Sequence, residues 1–210
     1  MKPEGNVLNS NDCVVMRCSF ADISHIFKKF HYKGDAMGGG ISFCFAMFIH
    51  DQLVGGSVTG LPRHQDKYKN AIDIRRMALL DSAPTNSESF FLGQIIRFIA
   101  SNTSHKFVLS YSDFSVGHEG TIYRAANFKK IGETAPTKWI EWNGKTYHMR
   151  SLTIERPYSY ALREAVKNGE ALICTGLVKS IWLYEISKKM MRKKFNLPMF
   201  GDVNQMNLFQ

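Results

Sequence analysis

The alternation of apolar and polar positions along the chain divides it into short strands and a few helices. Residues 13–20, CVVMRCSF, are apolar and β-branched and predict a first strand. Ile23, Ile26, Phe27 and Phe30 then recur at helical spacing, and Ser19 or Asp22 is positioned to cap that helix. The helix ends in His31-Tyr32-Lys33-Gly34, followed by the Gly38-Gly39-Gly40 loop. Residues 41–50 and 53–61 read as a hairpin turning at Asp51-Gln52, and residues 72–80, IDIRRMALL, as another strand. Thr85 with Glu88 three residues later has the form of a capping box. It opens a helix carrying Phe90, Phe91, Leu92, Ile95, Ile96, Phe98 and Ile99, apolar over most of its surface and so expected to be buried.

The second half is more broken. Residues 106–111 predict a strand that stops at Tyr111, 120–127 a short helix, and 128–134 a strand. Asn143-Gly144 between WIEW and KTYHMRS predicts a hairpin over 139–152. Residues 159–167 and 181–195 read as helices, and 202–210 as a tail. The order is α/β (α+β), with a mixed, mostly antiparallel central sheet flanked by helices and one helical crossover. The expected division is a core over 1–155 and a basic, helical extension over 156–210 packed on it.

Composition sharpens this picture. The 210 residues and 44% hydrophobic content support one folded domain with a sizeable core and exclude a disordered chain. Twenty-seven Lys and Arg against 18 Asp and Glu give +9, which suits an anionic partner such as nucleic acid, a phosphorylated cofactor or a membrane surface. Cys13, Cys18, Cys44 and Cys174 form no C-x-x-C pair and read as reduced thiols of a cytosolic protein. The polar N-terminus shows no secretory signal. The longest nearly continuous apolar run, 41–49, is too short to cross a bilayer. The expectation is a soluble protein of the cytoplasm, with no membrane partner.

The order of elements, with GHEGTIYRAANFKKIGE at 117–133, resembles the GNAT acyltransferase fold, Tyr123 and Phe128 standing near its Tyr and Phe places and Asn127 where Gly is usual. A narrower resemblance rests on five pieces in order: FKKFHYKG, LVGGSVTGLP, RRMALLDSAPTNSESFFLGQ, SYSDFSVGHEGTIYRAANFKKIGE and the late NLP. Together they resemble the Mom family of phage DNA-modification proteins. That resemblance implies a GNAT-like core acting on double-stranded DNA. There the exocyclic N6 amine of a flipped adenine becomes a carbamoylmethyl amine, shielding phage DNA from restriction. One departure from GNAT enzymes is chemical. Residues 81–89 contain one Pro and no Gly where a coenzyme A enzyme has a Gly-rich pyrophosphate turn, which makes acetyl-CoA a poor expectation. Iron is the metal that the Mom resemblance brings in; the donor of the added group is unidentified, and a homodimer is among the expectations.

Site residues follow from position and from the resemblance together. Asp113, just past a strand end, is a base, a metal ligand or a turn cap. His118, between glycines, reaches a substrate or is an exposed loop residue. His31 is a proton-transfer group or a helix C-cap, and Tyr32 beside it completes the Mom-like pair. Tyr123 matches the Tyr that protonates the leaving thiolate in GNAT enzymes, or is a core Tyr. Arg76 matches the Mom-like site position and suits an anion, whereas Arg75, on the opposite face of the same strand, suits solvent. Ser89 lines the site or bonds the helix backbone. His31, Asp113 and His118 make up a possible two-His, one-carboxylate iron set. Arg63, Lys67 and Lys69, with Lys188, Lys189, Arg192, Lys193 and Lys194, suit the DNA backbone or a solvated face. Trp139, Trp142 and Tyr147 stack a flipped base or pack the sheet.

Three alternatives stay open. One is a conventional acyl-CoA-dependent N-acyltransferase. Another is an acyl or aminoacyl transferase on a different modified phage base. The third is a non-catalytic DNA-binding protein on the same fold.

Overall fold

The computed structural model describes residues 7–31, 34 and 40–201. The elements are β1 (Cys13–Cys18), α1 (Phe20–Phe30), β2 (Phe43–Ile49), β3 (Gln52–Gly60), β4 (Ala71–Leu79), α2 (Ser87–Asn102), β5 (Phe107–Asp113), α3 (Thr121–Ala125), β6 (Lys129–Glu133), β7 (Lys138–Trp142), β8 (Lys145–His148), α4 (Ser159–Lys167), β9 (Leu172–Thr175), β10 (Lys179–Glu185) and α5 (Lys188–Met191). They build a seven-stranded sheet in the order β1-β2-β3-β4-β5-β10-β6 and a three-stranded sheet in the order β8-β7-β9. The large sheet is mixed and mostly antiparallel, with β4 and β5 parallel through the α2 crossover.

Two compact units result. Unit 1 comprises 1–111, 120–131 and 181–210; unit 2 comprises 112–119 and 132–180. In unit 1 the α1 capping box is realised by Ser19 and Asp22: the Ser19 hydroxyl accepts from Asp22 N–H, and the Asp22 carboxylate accepts from Ser19 N–H at 2.8 Å. α1 buries Ile23, Ile26 and Phe27 against Cys18, Cys44, Ala46 and Val58. The expected buried helix is α2, whose Phe91, Leu92, Ile95 and Ile99 are completely enclosed with Phe45, Met47 and Ile72. Unit 2 has its own smaller core of Ile140, Leu162, Ala165 and Ala171, ringed by Trp142, Tyr147, Met149 and Tyr158. Trp142 and Tyr147 therefore pack.

The structure corrects several expected elements. His50 and Asp51, both left-handed, turn the β2–β3 hairpin, so Gln52 already belongs to β3. Thr85 does not cap α2. Its carbonyl accepts from Leu8 N–H at 3.2 Å, and Asn86 becomes the N-cap in a left-handed conformation without a side-chain cap. β5 runs two residues past Tyr111, to Asp113. The largest correction concerns 181–195, expected as one helix. Ile181 and Leu183 join the cluster of Ala71 and Leu109, while Trp182, Tyr184 and Ile186 join the α2 cluster. This period of two is a strand's, and only Lys188–Met191 is helical. Among the described residues, no helix is long and apolar enough to cross a membrane.

Candidate active site

β4 and β5 begin as a parallel pair and then part. Their ladder has three rungs, Ala71–Phe107, Ile72–Val108 and Asp73–Leu109, and no rung beyond. Past that point the split exposes main-chain and side-chain polar groups inside the sheet, which need other partners. Ser110 is the first residue after the split on β5 and is almost fully buried. Its hydroxyl lies 2.7 Å from the Tyr123 hydroxyl, as donor, and 3.5 Å from the Ile74 carbonyl on β4.

Tyr123 is placed by three local features. Gly120 opens α3 at φ +79°, and a Cβ there would stand 2.3 Å from the Trp182 ring, so only glycine lets the chain pass. The Tyr123 ring then packs between Phe128, at 5.5 Å, and Trp182, at 5.8 Å. The ring is buried and its hydroxyl reaches Ser110. Ser110 engages an oxygen lone pair, not the phenolic proton, which is the arrangement of a Tyr that donates.

Arg76 is buried on β4, and its guanidinium donates to the Gly34 carbonyl just after α1. Its own carbonyl accepts from the buried Ser57 hydroxyl at 3.0 Å. The β3–β4 register jumps here, Val58 opposing Arg76 and Thr59 opposing Ile74. Arg75 is thus the extra residue of a bulge, so simple alternation does not hold at the Arg pair. Arg75 is not solvated as expected: it donates to the Leu61 carbonyl at 2.7 Å and lies where a Cβ of Gly60 would be. His31 is the C-cap of α1, its N–H donating to the Phe27 carbonyl at 3.0 Å and its ring edge-on to Phe27. Tyr32 lies outside the described residues.

Asp113 ends β5 and caps the short 3-10 turn 114–116, accepting from Ser115 N–H at 3.1 Å. Its carboxylate also accepts from the Ser115 hydroxyl and from Lys179 Nζ. Burial pushes its carboxyl up, but the Lys179 and Ser115 bonds outweigh that and hold it well below the usual carboxylate range. An acid so held is ionised at neutral pH and is a weak base. His118 is exposed in the loop that follows, its N–H donating to the Asp113 carbonyl at 3.1 Å. Among the described residues no three His, Cys, Asp or Glu side chains are gathered to hold a metal ion, His31, Asp113 and His118 included.

The remaining candidates fall as follows. Ser89 is half-buried in the first turn of α2, donating to the Asn86 carbonyl at 3.0 Å. Ala83 N–H in the preceding loop donates to the Leu80 carbonyl, and Ser87 N–H at the start of α2 donates to the Pro84 carbonyl, so both are already occupied. Arg63, Lys67 and Lys69 are exposed between β3 and β4. Lys188, Lys189, Arg192, Lys193 and Lys194 are exposed on and after α5. That basic turn is tied to the end of α2 by Ser101, which donates to the Lys193 carbonyl, and by Asn102, which donates to the Phe195 carbonyl at 2.8 Å. Sequence reading missed Ser110, Tyr111 and Lys179. Burial, then Asp73 and Tyr68, push the Tyr111 phenol up to about 12, against Arg63.

A mixed sheet parted between two central parallel strands, with a Tyr from the following short helix at the opening, defines the N-acetyltransferase class of fold. A putative phosphinothricin N-acetyltransferase has a TM-score of 0.52 at 11% identity, covering 84% of this chain and 99% of its own. The ribosomal-protein-S18-alanine N-acetyltransferase of Escherichia coli has a TM-score of 0.51 at 10% identity, covering 87% and 99%. The sequence is narrower than the fold. The model of the Mom protein family matches residues 12–196, and the chain belongs to that family. The methylcarbamoylase Mom of Escherichia phage Mu is 35% identical over 78 residues. That stretch is 37% of this chain and 32% of the Mu protein, so the match spans about a third of the relative's length.

Proposed function

We propose that this chain is a phage DNA-modifying transferase that converts the N6 amine of adenine in double-stranded DNA to a carbamoylmethyl amine, protecting that DNA from restriction. Membership of the Mom family over residues 12–196 carries the reading. The Mu relative is named a methylcarbamoylase, which supports transfer of a carbamoyl-containing group; its attachment as carbamoylmethyl is part of this proposal. The chemistry sets three requirements. The amine's lone pair is delocalised into the ring and the base is stacked, so the base must leave the helix, lose an N6 proton and meet an electrophile.

In this reading the new bond joins N6 to the methylene carbon of the donor's carbamoylmethyl group, and the donor's leaving group departs with its bonding pair. Tyr123 stands at the sheet opening to protonate that leaving group or to orient the donor. Ser110 keeps the phenol's lone pair occupied. Arg76 holds an anionic group of the donor or a phosphate. His31 takes the N6 proton, imidazole being the side chain type best suited to proton transfer near neutral pH. Asp113, ionised by Lys179, supports the turn to His118 rather than taking protons. Tyr32 and Ser89 position substrate, and the exposed bases at 63–69 and 188–194 follow the phosphate backbone. The donor is a small molecule of unidentified class.

The test is to express the chain, digest cell DNA to nucleosides and weigh them. A new adenosine species heavier by one carbamoylmethyl-for-hydrogen exchange is expected; unchanged nucleosides with soluble protein contradict the reading. The fold's likeness to N-acetyltransferases favours a second reading, an acyl-CoA-dependent N-acyltransferase. Coenzyme A titration separates the two, and the occupied N–H groups of residues 83 and 87 argue for no binding.

A further inference from the structure

Each of the two sheets has two outer strands, and an outer strand offers unpaired main-chain groups to any passing strand unless something blunts it. β1 is covered by the chain itself. Arg17 N–H donates to the Pro198 carbonyl at 2.8 Å, Phe200 N–H donates to the Arg17 carbonyl at 2.7 Å, and Phe200 stacks on Phe48. β6 carries exposed Lys129, Lys130 and Glu133. β8 begins with exposed Lys145 and ends with exposed His148. β9 alone among these outer strands has no such guard. From Leu172 to Leu177 the sequence LICTGL contains neither charge nor proline. Leu172 is 65% exposed, Ile173 48% and Leu177 58%. β7 pairs with its inner edge, and among the described residues no strand pairs with the other.

Charge says what fits there. Unit 2 holds seven Lys and Arg against seven Asp and Glu, so the formal +9 lies wholly on unit 1, with 20 against 11. Two copies of this chain repel through unit 1 but meet without net repulsion through unit 2. We propose that the β9 edge is a dimer interface, at which β9 pairs antiparallel with β9 of a second copy about a two-fold axis. The two three-stranded sheets become one of six strands, and the exposed Leu172, Ile173 and Leu177 of each copy are brought to the junction. A two-fold contact requires a self-complementary surface, and an uncharged apolar strand is one.

The test is sedimentation equilibrium of the purified full-length chain, freed of nucleic acid by nuclease and high salt, over the micromolar range. Twice the chain mass, dissociating on dilution and indifferent to added salt, is expected. The Leu172→Lys/Ile173→Lys variant places like charges at the junction and shifts to the mass of one chain. Leu177→Glu is a second, independent variant in an exposed position, and unchanged circular dichroism shows that each is folded. A wild-type chain that stays monomeric throughout overturns the proposal, as does a folded Leu172→Lys/Ile173→Lys chain that keeps twice the mass.

Discussion

Two hydrogen-bonded pairs stand three residues apart on β5 and behave in opposite ways. Ser110 meets Tyr123, two neutral hydroxyls 2.7 Å apart. Asp113 meets Lys179, an ion pair in which the ammonium and the Ser115 bonds hold the carboxylate ionised. The phenol of the first pair is a neutral acid that becomes a phenolate when it gives its proton. The carboxylate of the second takes a proton up only by giving up an ion pair that is mostly out of water. On the proposed reading the strand separates chemistry from scaffolding: a buried carboxylate at a strand end is a natural candidate for a base, yet its ion pair with Lys179 makes it a weak one.

Substitutions break this contrast at either end. Tyr123→Phe keeps the ring in its Phe128 and Trp182 packing and removes the proton, so the yield of modified adenosine is expected to fall roughly 100-fold, the scale of a lost acid catalyst. The melting temperature should move little, since one neutral hydrogen bond is worth about 1 kcal/mol. Lys179→Met does the reverse. It strands the Asp113 carboxylate and is expected to cost about 3 kcal/mol of stability, read by urea denaturation. Activity per folded molecule should fall far less than in Tyr123→Phe.

Acid sharpens the same point. The Asp113 carboxyl is depressed in the folded chain, so its contribution to stability is complete above the ordinary carboxylate pKa of about 4 and is lost as pH falls below it. Urea midpoints of wild type and Lys179→Met should therefore converge as pH drops through that range. Ser110→Ala leaves the phenol without its donor and is expected to lower activity several-fold and shift the basic limb of its pH profile. Ser110→Thr, which keeps the hydroxyl, should restore that limb. The smallest contrast is in DNA affinity. Replacing Lys188, Lys189, Arg192, Lys193 and Lys194 by Gln should flatten the dependence of log affinity on log salt by up to about 4. Tyr123→Phe should leave that slope unchanged.

Much of this arrangement is legible in the chain. Apolar spacing marks α1 and α2, because each buries one side against a sheet. Asn143-Gly144 marks the β7–β8 turn, where both residues are left-handed. Residues 181–195 were misleading because β10 is covered on both faces, so Ile181, Trp182, Leu183 and Tyr184 form an unbroken apolar run that a helix also allows. Thr85 fits a capping box locally, but residues 7 and 8, far away in sequence, take its backbone. For the candidate site, Arg76, Asp113 and Tyr123 are the residues that position and resemblance pick out. Lys179 is not, since nothing local ties it to a carboxylate 66 positions earlier. Ser110 is hidden because a small hydroxyl in an apolar strand carries no signal until the ladder is seen to stop beside it.

The most direct test of the account is the amount of modified adenosine in DNA from cells making equal soluble quantities of wild-type and Tyr123→Phe chains. The account predicts a new, heavier adenosine with the wild type and its near-complete loss with Tyr123→Phe, with the variant's fold intact by circular dichroism. A full yield from Tyr123→Phe would contradict the role given to the Ser110–Tyr123 pair, and no new species from the wild type would contradict DNA modification itself.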